Sequence, residues 1–232
     1  MRVRVGTSGY AYKEWKGSFY PEELPDRAML RFYAGQFDTV EINNTFYRMP
    51  TAELLGGWAG QVPPGFSFVL KAPRRITHVR RLQGAAEDIA HLLRTAAGLG
   101  PRLGPILFQL PPFLKKDAGR LREFAAALPA GFRAAIEFRN RSWRDEEVDA
   151  ILRDHGIALV VADAEEEQPP VVPTAPFGYL RLRREGYDAT ALAAWARTVL
   201  AQPWEEAHVF FKHEDEAAGP RLAAEFRRLV GG

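Results

Sequence analysis

The chain has 232 residues, with 31 Lys and Arg, 29 Asp and Glu, and a formal net charge of +2. This length suits one α/β barrel, and the near-neutral charge argues against a protein that coats nucleic acid or binds a membrane surface. Cysteine is absent. Disulfides, thiolate metal ligands and a cysteine nucleophile are therefore excluded from this sequence.

The sequence also predicts where the protein resides. No apolar run approaches the roughly 20 residues that a membrane-spanning helix needs. Residues 1–6 (MRVRVG) begin with the alternation of a strand, and they lack the apolar stretch and cleavage site of a signal peptide. We expect a cytoplasmic protein without a membrane partner, and we favour a monomer.

Eight short apolar runs recur along the chain, each as long as a buried strand and bounded by Gly, Pro or polar residues. Helical patterns lie between them. This alternation predicts a parallel sheet, and eight strands predict one TIM-like (β/α)8 barrel over residues 1–232. The runs are Val3–Gly6, Thr39–Asn43, Phe66–Lys71, Pro105–Leu110, Phe132–Phe138, Ala158–Asp163, Tyr179–Leu182 and Val209–Lys212.

The intervening stretches carry ordinary helix signals. Thr51 is a plausible N-cap after Pro50, and Asp145–Glu147 place acids in a first turn, where the helix dipole favours them. The predicted helices are Ala28–Phe37, Ala52–Gln61, Ala85–Leu99, Asp117–Leu128, Arg144–His155, Ala189–Ala201 and Ala217–Leu229.

Almost every predicted strand ends on a polar or charged residue, and these ends meet at the face where barrel active sites lie. Residues two apart on a strand share a face, so Glu137 and Arg139 point the same way. Isolated charges cannot stay unpaired in a core. They must therefore flank a ligand or pair with one another near the mouth. The second case is the structural alternative, with ion pairs such as Glu137 with Arg181. The charged and polar strand ends are Thr7, Ser8, Glu41, Asn43, Lys71, Gln109, Glu137, Arg139, Asp163, Arg181, Arg183, Lys212 and His213.

The loops that follow the strands add aromatic and basic residues. Tyr47, Arg48 and Trp143 suit stacking on, or pairing with, a sugar or base. His78 belongs to a basic third loop that suits a phosphate or carboxylate. The structural alternatives are aromatic rings that seal the barrel and a solvated basic loop.

Three enzymatic interpretations fit these residues. Glu41 and Glu137 could act as general acid and base on a carbohydrate-like substrate, with Arg139 holding Glu137 ionised. A metal-dependent isomerase or phosphodiesterase would use Glu41, Glu137, Asp163 and His213, but five histidines supply few ligands. Lys71 could form a Schiff base with an anionic carbonyl compound; we favour instead its pairing with Glu41, which would keep it charged.

A non-enzymatic protein that binds a phosphate ligand or nucleic acid through the third loop and Arg181 is the further alternative, although the net charge argues against nucleic acid. We predict an enzyme acting on a small anionic or sugar-like substrate, without a cofactor; a divalent metal lacks support. The predicted catalytic residues are Glu41, Glu137, Lys71 and Asp163. The predicted substrate contacts are Asn43, Tyr47, Arg48, His78, Gln109, Arg139, Trp143, Arg181, Lys212 and His213.

Several motifs together resemble the YecE-like family, domain of unknown function 72. They are residues 6–10 (GTSGY), 15–21 (WKGSFYP), 40–48 (VEINNTFYR), Lys71 with Thr77-His78, 103–112 (LGPILFQLPP), and 137–139 (EFR) with Ser142-Trp143. The resemblance implies a TIM-like barrel and assigns no reaction. This chain departs from the family pattern at Arg183-Arg184 and Lys212-His213, where positive charge replaces His-Gly and Asn-Asn.

Overall fold

A computed structural model describes residues 1–164, 170–212 and 217–231. In these residues strands alternate with helices. The strands are β1 (Arg2–Thr7), β2 (Thr39–Ile42), β3 (Ser67–Lys71), β4 (Leu103–Gln109), β5 (Ala134–Glu137), β6 (Ala158–Leu159), β7 (Val161–Asp163), β8 (Phe177–Leu182) and β9 (Glu206–Phe211). The α-helices are α1 (Met29–Gln36), α2 (Ala52–Ala59), α3 (Ala86–Ala96), α4 (Ala118–Ala126), α5 (Glu146–Asp154), α6 (Ala189–Leu200) and α7 (Ala218–Leu229).

The strands pair in parallel and close into a barrel. One ladder runs β2-β3-β4-β5-β6 and the other runs β7-β8-β9-β1. Val160 alone separates β6 from β7, so these two segments are halves of one barrel strand. β1 meets β2 where the Gly9 N–H donates to the Glu41 carbonyl oxygen at 2.8 Å. The predicted (β/α)8 barrel is confirmed, with its sixth strand broken in the middle.

The predicted elements agree with the structure except at some ends. The Thr51 Oγ1 accepts the Leu54 N–H at 3.2 Å, which confirms the predicted N-cap of α2. The last strand begins at Glu206, three residues before the apolar run, because Glu206 and His208 interrupt the apolar pattern while still pairing in the ladder. The predicted helix Ala85–Leu99 ends at Ala96 and continues as a 3-10 turn.

Alternate strand residues divide between two buried layers. One layer fills the barrel interior, and the other packs between the strands and the surrounding helices. On β8, Tyr179 belongs to the interior layer, whereas Leu180 and Leu182 belong to the outer layer. In the described residues, no helix is long and apolar enough to cross a membrane.

A side chain closes the wall between β1 and β2. The Tyr33 hydroxyl accepts the Thr7 N–H at 2.9 Å and donates to the Thr39 carbonyl oxygen at 3.0 Å. It thereby replaces direct backbone pairing at the level of Thr7 and Thr39, below the direct bond from Gly9 to Glu41. Gly6 permits this approach, because a Cβ atom there would lie 2.2 Å from the Thr39 carbonyl oxygen.

The broken sixth strand changes partners along its length. Its lower half, β6, pairs with β5, and the last bond of that ladder is the Val160 N–H to the Ile136 carbonyl oxygen at 2.9 Å. Its upper half, β7, pairs with β8. Thr174 covers the free edge of β6: its Oγ1 accepts the Leu159 N–H at 2.8 Å and donates to the Ile157 carbonyl oxygen at 2.7 Å.

Candidate active site at the carboxyl end of the barrel

Arg181 joins the two candidate carboxylates inside the barrel. It projects from β8 and is fully buried. Its Nη2 donates to the Glu41 Oε1 at 2.7 Å and its Nη1 donates to the Glu137 Oε2 at 2.6 Å. Glu41 lies at the end of β2 and Glu137 at the end of β5. The ion pair of Glu137 with Arg181, which the sequence analysis gave as the structural alternative, is present. We call Arg181, Glu41 and Glu137 the carboxyl-end network.

Glu41 is saturated by further donors. The Ser8 Oγ donates to its Oε1 at 2.6 Å, the Tyr179 hydroxyl donates to its Oε2 at 2.6 Å, and the Asn43 Nδ2 donates to its Oε1 at 3.2 Å. Asn43 is one of the predicted substrate contacts. Ser8 belongs to the polar strand ends but not to the predicted catalytic residues or substrate contacts, and Tyr179 belongs to none of these sets. Strand periodicity could have found Tyr179, because it lies two residues before Arg181 on the same face.

Lys71 reaches the network through a neutral residue. Its Nζ donates to the Gln109 Oε1 at 2.8 Å, and the Gln109 Nε2 donates to the Glu137 Oε1 at 2.8 Å. The Lys71 Nζ also lies 4.3 Å from the centroid of the Phe46 ring. The expected pairing of Lys71 with Glu41 is therefore wrong. Lys71 donates to Gln109 instead, because Arg181, Ser8 and Tyr179 already donate hydrogen bonds to the carboxylate oxygens of Glu41.

The charges around Glu41 and Glu137 keep both side chains ionised. Burial alone would raise the pKa of Glu41, but the charges of Arg181 and Arg183 and the hydrogen bonds to Arg181 and Ser8 lower it to about 2. Burial also raises the pKa of Glu137, but the charges of Arg181, Arg183 and Arg139 outweigh it and hold the pKa well below its usual range. The Arg139 Nε donates to the Glu137 Oε1 at 3.1 Å, as predicted.

Among the residues that the structure describes, positive charge exceeds negative charge around the carboxyl-end network. Arg183 follows Arg181 on the same face of the chain, and its Nε is buried without a hydrogen-bond partner among the described residues. Burial and the Arg181 charge lower the pKa of Arg183. Burial and the same charge lower the pKa of Lys71 to about 8, against the opposing effect of Glu41 and Glu137.

His78 lies beside Lys71 on the third loop. Its Nδ1 is 2.9 Å from the Thr77 Oγ1, and its ring packs edge-on against Phe46 with centroids 4.9 Å apart. Partial burial and the charges of Lys71 and Arg74 lower the pKa of His78. The imidazole is therefore neutral at physiological pH and able to accept a proton.

Asp163 is not brought to the network. Its neighbour Ala162 packs with the interior layer, so Asp163 faces the helices. Its Oδ2 accepts the Tyr187 hydroxyl at 2.6 Å and the Trp195 Nε1 at 3.0 Å. Among the residues that the structure describes, no group of three or more Asp, Glu and His side chains is placed to hold a metal ion.

The other predicted contacts lie at different depths around the mouth. Tyr47 is 83% exposed, and Arg48 and Lys212 are exposed as well. Trp143 is buried: its Nε1 donates to the Leu114 carbonyl oxygen at 2.7 Å, and its ring stacks on Phe138 with centroids 4.5 Å apart. His213 lies outside the described residues.

Known proteins resemble the chain in sequence and in structure. A DUF72 family protein from Thermotoga maritima is 29% identical, with a TM-score of 0.89 over 100% of both chains. The protein YecE from Escherichia coli is 30% identical over 141 residues, which are 58% of this chain and 52% of that protein, so the chain spans about half the length of this relative. The protein YunF from Bacillus subtilis is 23% identical over 92% of this chain and 79% of its own.

More distant structures share the fold alone. A D-psicose 3-epimerase is 13% identical, with a TM-score of 0.62 over 100% of both chains. The family model described as Protein of unknown function DUF72 matches residues 4–232. The resemblance inferred from the motifs is thereby confirmed, and the chain belongs to the DUF72 family.

Proposed function

We propose that the chain is an enzyme that acts on a small anionic carbonyl compound, with Lys71 as its reactive amine. The position of Lys71 carries this proposal. Its Nζ is half-buried among arginines and is hydrogen-bonded to the neutral Gln109 instead of to a carboxylate. An amine in such surroundings loses its proton more readily than an exposed lysine does.

The excess of positive charge among the described residues favours an anionic substrate. A buried guanidinium nitrogen without a hydrogen-bond partner is costly, and a carboxylate or phosphate would accept its hydrogen bond. The Nε of Arg183 is such a nitrogen in the described part of the chain, and Arg139, whose side chain is 41% exposed, stands at the mouth beside it. A small anion held by these arginines would lie next to the Lys71 amine, since Arg183 and Lys71 interact electrostatically.

The reaction proposed for Lys71 is imine formation. With a pKa of about 8, an appreciable fraction of the Lys71 amine is neutral near pH 7.5. The neutral amine adds to the carbonyl carbon, and loss of water gives the imine. His78, which packs against the same Phe46 ring as Lys71, is the proposed acceptor of the proton that the nitrogen gives up, and it returns this proton to the hydroxyl group that leaves as water.

Glu41 and Glu137 take a positioning role in this proposal. A general acid must hold a proton at the working pH, and a carboxyl with a pKa of about 2, such as Glu41, does not. Both carboxylates bind Arg181 and fix its orientation beneath the mouth. This arrangement supports the anionic-substrate part of the prediction and moves the acid–base chemistry from the carboxylates to Lys71 and His78.

Borohydride trapping tests the reactive amine. Incubation with pyruvate and sodium borohydride near pH 7.5 would reduce the imine, so the protein should gain the mass of pyruvate less one oxygen atom. Peptide mapping should place this mass on Lys71, and Lys71→Gln should abolish it. Lys116→Gln is the matched control, because Asp145 and Glu147 raise the pKa of Lys116 and hold it protonated. Labelling spread evenly over the lysines, or absent at Lys71, would contradict the proposal.

A non-catalytic protein that binds a phosphate ligand is the second candidate, and Arg183 favours it. Calorimetry with inorganic phosphate separates the two. Arg183→Met should weaken phosphate binding about tenfold, the loss expected for one charge-assisted contact. Arg184→Met, at the neighbouring exposed position, should leave binding unchanged. Phosphate binding without pyruvate trapping would favour this second candidate.

A further inference from the structure

A cavity of about 360 Å³ opens beside the carboxyl-end network. It lies between the loop after β5 and the sixth strand. Arg139 lines the cavity and also donates to Glu137, so the cavity and the network share a residue. Phe138, Leu159 and Val172 supply apolar walls, and each of them is partly exposed.

The change of partners in the sixth strand creates this cavity. The ladder with β5 stops at Val160, and the chain then turns toward β8. No ladder joins β5 to β7 among the described residues, and Val160 and Ala162 line the cavity at this gap. The two other interruptions of the barrel wall are each bridged by a hydroxyl, from Tyr33 and from Thr174. At this third interruption the wall opens onto the cavity.

One wall of the cavity is apolar and suits a flat ring, while the remaining lining is polar or charged. Phe138 is held in place by stacking on the buried Trp143, which makes that wall rigid. The volume is at the low end of the roughly 300–1,000 Å³ typical of small-molecule sites. Asp149 of α5 also lines the cavity, and burial raises its pKa. Acidic residues (Asp145, Glu146, Asp149) and basic residues (Arg139, Arg141, Arg144) both line the cavity. The apolar wall, and not the charge of the lining, therefore indicates which group fits.

We propose that this cavity is a subsite for a planar apolar group, so that the substrate class is an anion carrying an aromatic ring. This rests on the proposed function, because the anionic end of the same molecule would bind Arg139 and Arg183. The ring would extend from the mouth, past Arg139, into the gap between β5 and β7. The subsite thus accounts for the preference for a ring, and Arg139 and Arg183 account for the negative charge of the ligand.

Paired ligands of equal charge test the subsite. Methyl phosphate and phenyl phosphate present the same anion, and only phenyl phosphate has a ring to bury. Calorimetry with the wild-type protein should show phenyl phosphate binding about tenfold tighter, as partial burial of one ring predicts. Val172→Trp, which fills the cavity, should remove this difference and leave methyl phosphate binding unchanged.

Two further variants complete the design. Leu159→Ser makes a wall polar and should reduce the preference for phenyl phosphate even if Val172→Trp fails to fold. Leu200→Trp adds a ring at an exposed position on α6 and should preserve the preference. Equal binding of both ligands to wild type would overturn the subsite while the anion site stands. Binding of neither ligand would overturn the anion site and the subsite together. A preference that survives both Val172→Trp and Leu159→Ser would place the ring elsewhere and overturn the subsite.

Discussion

The two ends of the barrel carry different ionic networks. At the amino end, the Glu206 carboxylate on β9 accepts the Arg4 Nε at 2.5 Å and the Arg133 Nη2 at 2.6 Å. The His208 Nε2 lies 3.3 Å from Glu206, and burial lowers the pKa of His208. We call Arg4, Arg133, Glu206 and His208 the amino-end network. A cavity of about 480 Å³ adjoins it, larger than the cavity beside the carboxyl-end network.

In the part of the chain that the structure describes, the pairing of charges, and not cavity size, distinguishes the two ends. At the amino end, Arg4 also pairs with Asp38 at 3.1 Å, and Arg133 lies over the Phe177 ring at 4.5 Å, so each arginine is already engaged. At the carboxyl end, Arg183 has a buried Nε without a described hydrogen-bond partner, and Lys71 has a lowered pKa. This difference is the basis for placing the proposed anion site at the carboxyl end instead of the amino end.

The largest expected effect comes from the residue that joins both carboxylates. Arg181→Met leaves Glu41 and Glu137 buried without their shared partner and should lower the free energy of unfolding by about 4 kcal/mol. Arg139→Met removes a partly exposed partner of Glu137 and should cost less than about 1 kcal/mol. Urea unfolding followed by circular dichroism measures both. A loss below about 1 kcal/mol for Arg181→Met would show that the carboxyl-end network contributes little to stability.

Acid should weaken the carboxyl-end network next. The pKa of Glu41 is about 2 in the folded protein and about 4.5 when unperturbed. Between pH 4.5 and pH 2 the unfolded chain binds more protons at Glu41 than the folded protein does. The contribution of Glu41 to stability is therefore fully present above pH 4.5 and is lost as the pH falls toward 2. The Glu41 contribution is about 3 kcal/mol. Urea unfolding from pH 6 to 2.5 should show a shallower decline for Glu41→Gln than for wild type. Equal slopes would mean that Glu41 is not held ionised by folding.

A substitution in the amino-end network should lower stability by a smaller amount and leave ligand binding unchanged. Glu206→Gln removes the carboxylate shared by Arg4 and Arg133, and we expect a loss of about 2 kcal/mol because Glu206 is partly exposed. Its affinity for inorganic phosphate should nevertheless equal that of wild type. Unfolding and calorimetry on the same sample measure the two quantities. A large change in phosphate affinity would mean that the amino-end network influences the mouth, or that the anion site lies at the other end.

The periodicity of the sequence predicted the barrel and most of the network. Alternation of apolar and polar residues placed Glu137 with Arg139 and Arg181 with Arg183 on shared faces, because successive strand residues point in opposite directions. The same rule, applied to Ala158–Asp163, could have placed Asp163 on the helix side. The position of Asp163 at the polar end of its run predicts the mouth, whereas the alternation along the run predicts the helix side, and the structure agrees with the alternation.

The sequence pattern does not predict which partner each charged side chain binds. Arg181 and Glu41 are 140 residues apart in sequence, and nothing local indicates which of several cations a carboxylate will bind. The expected pairing of Lys71 with Glu41 and the observed pairing of Arg181 with Glu41 have the same strand-end pattern. Only the register across the closed barrel distinguishes them.

The sequence by itself determined the alternation of strands and helices, the inward faces and the family, since these depend on local periodicity and on motifs. The tertiary structure alone decided which charges are neutralised and where the wall opens. Hydrogen bonds form over about 3 Å, so a pairing such as Lys71 with Gln109 depends on how strands far apart in the chain meet. Burial, which sets the pKa of Glu41 and Lys71, likewise exists only once the barrel has closed.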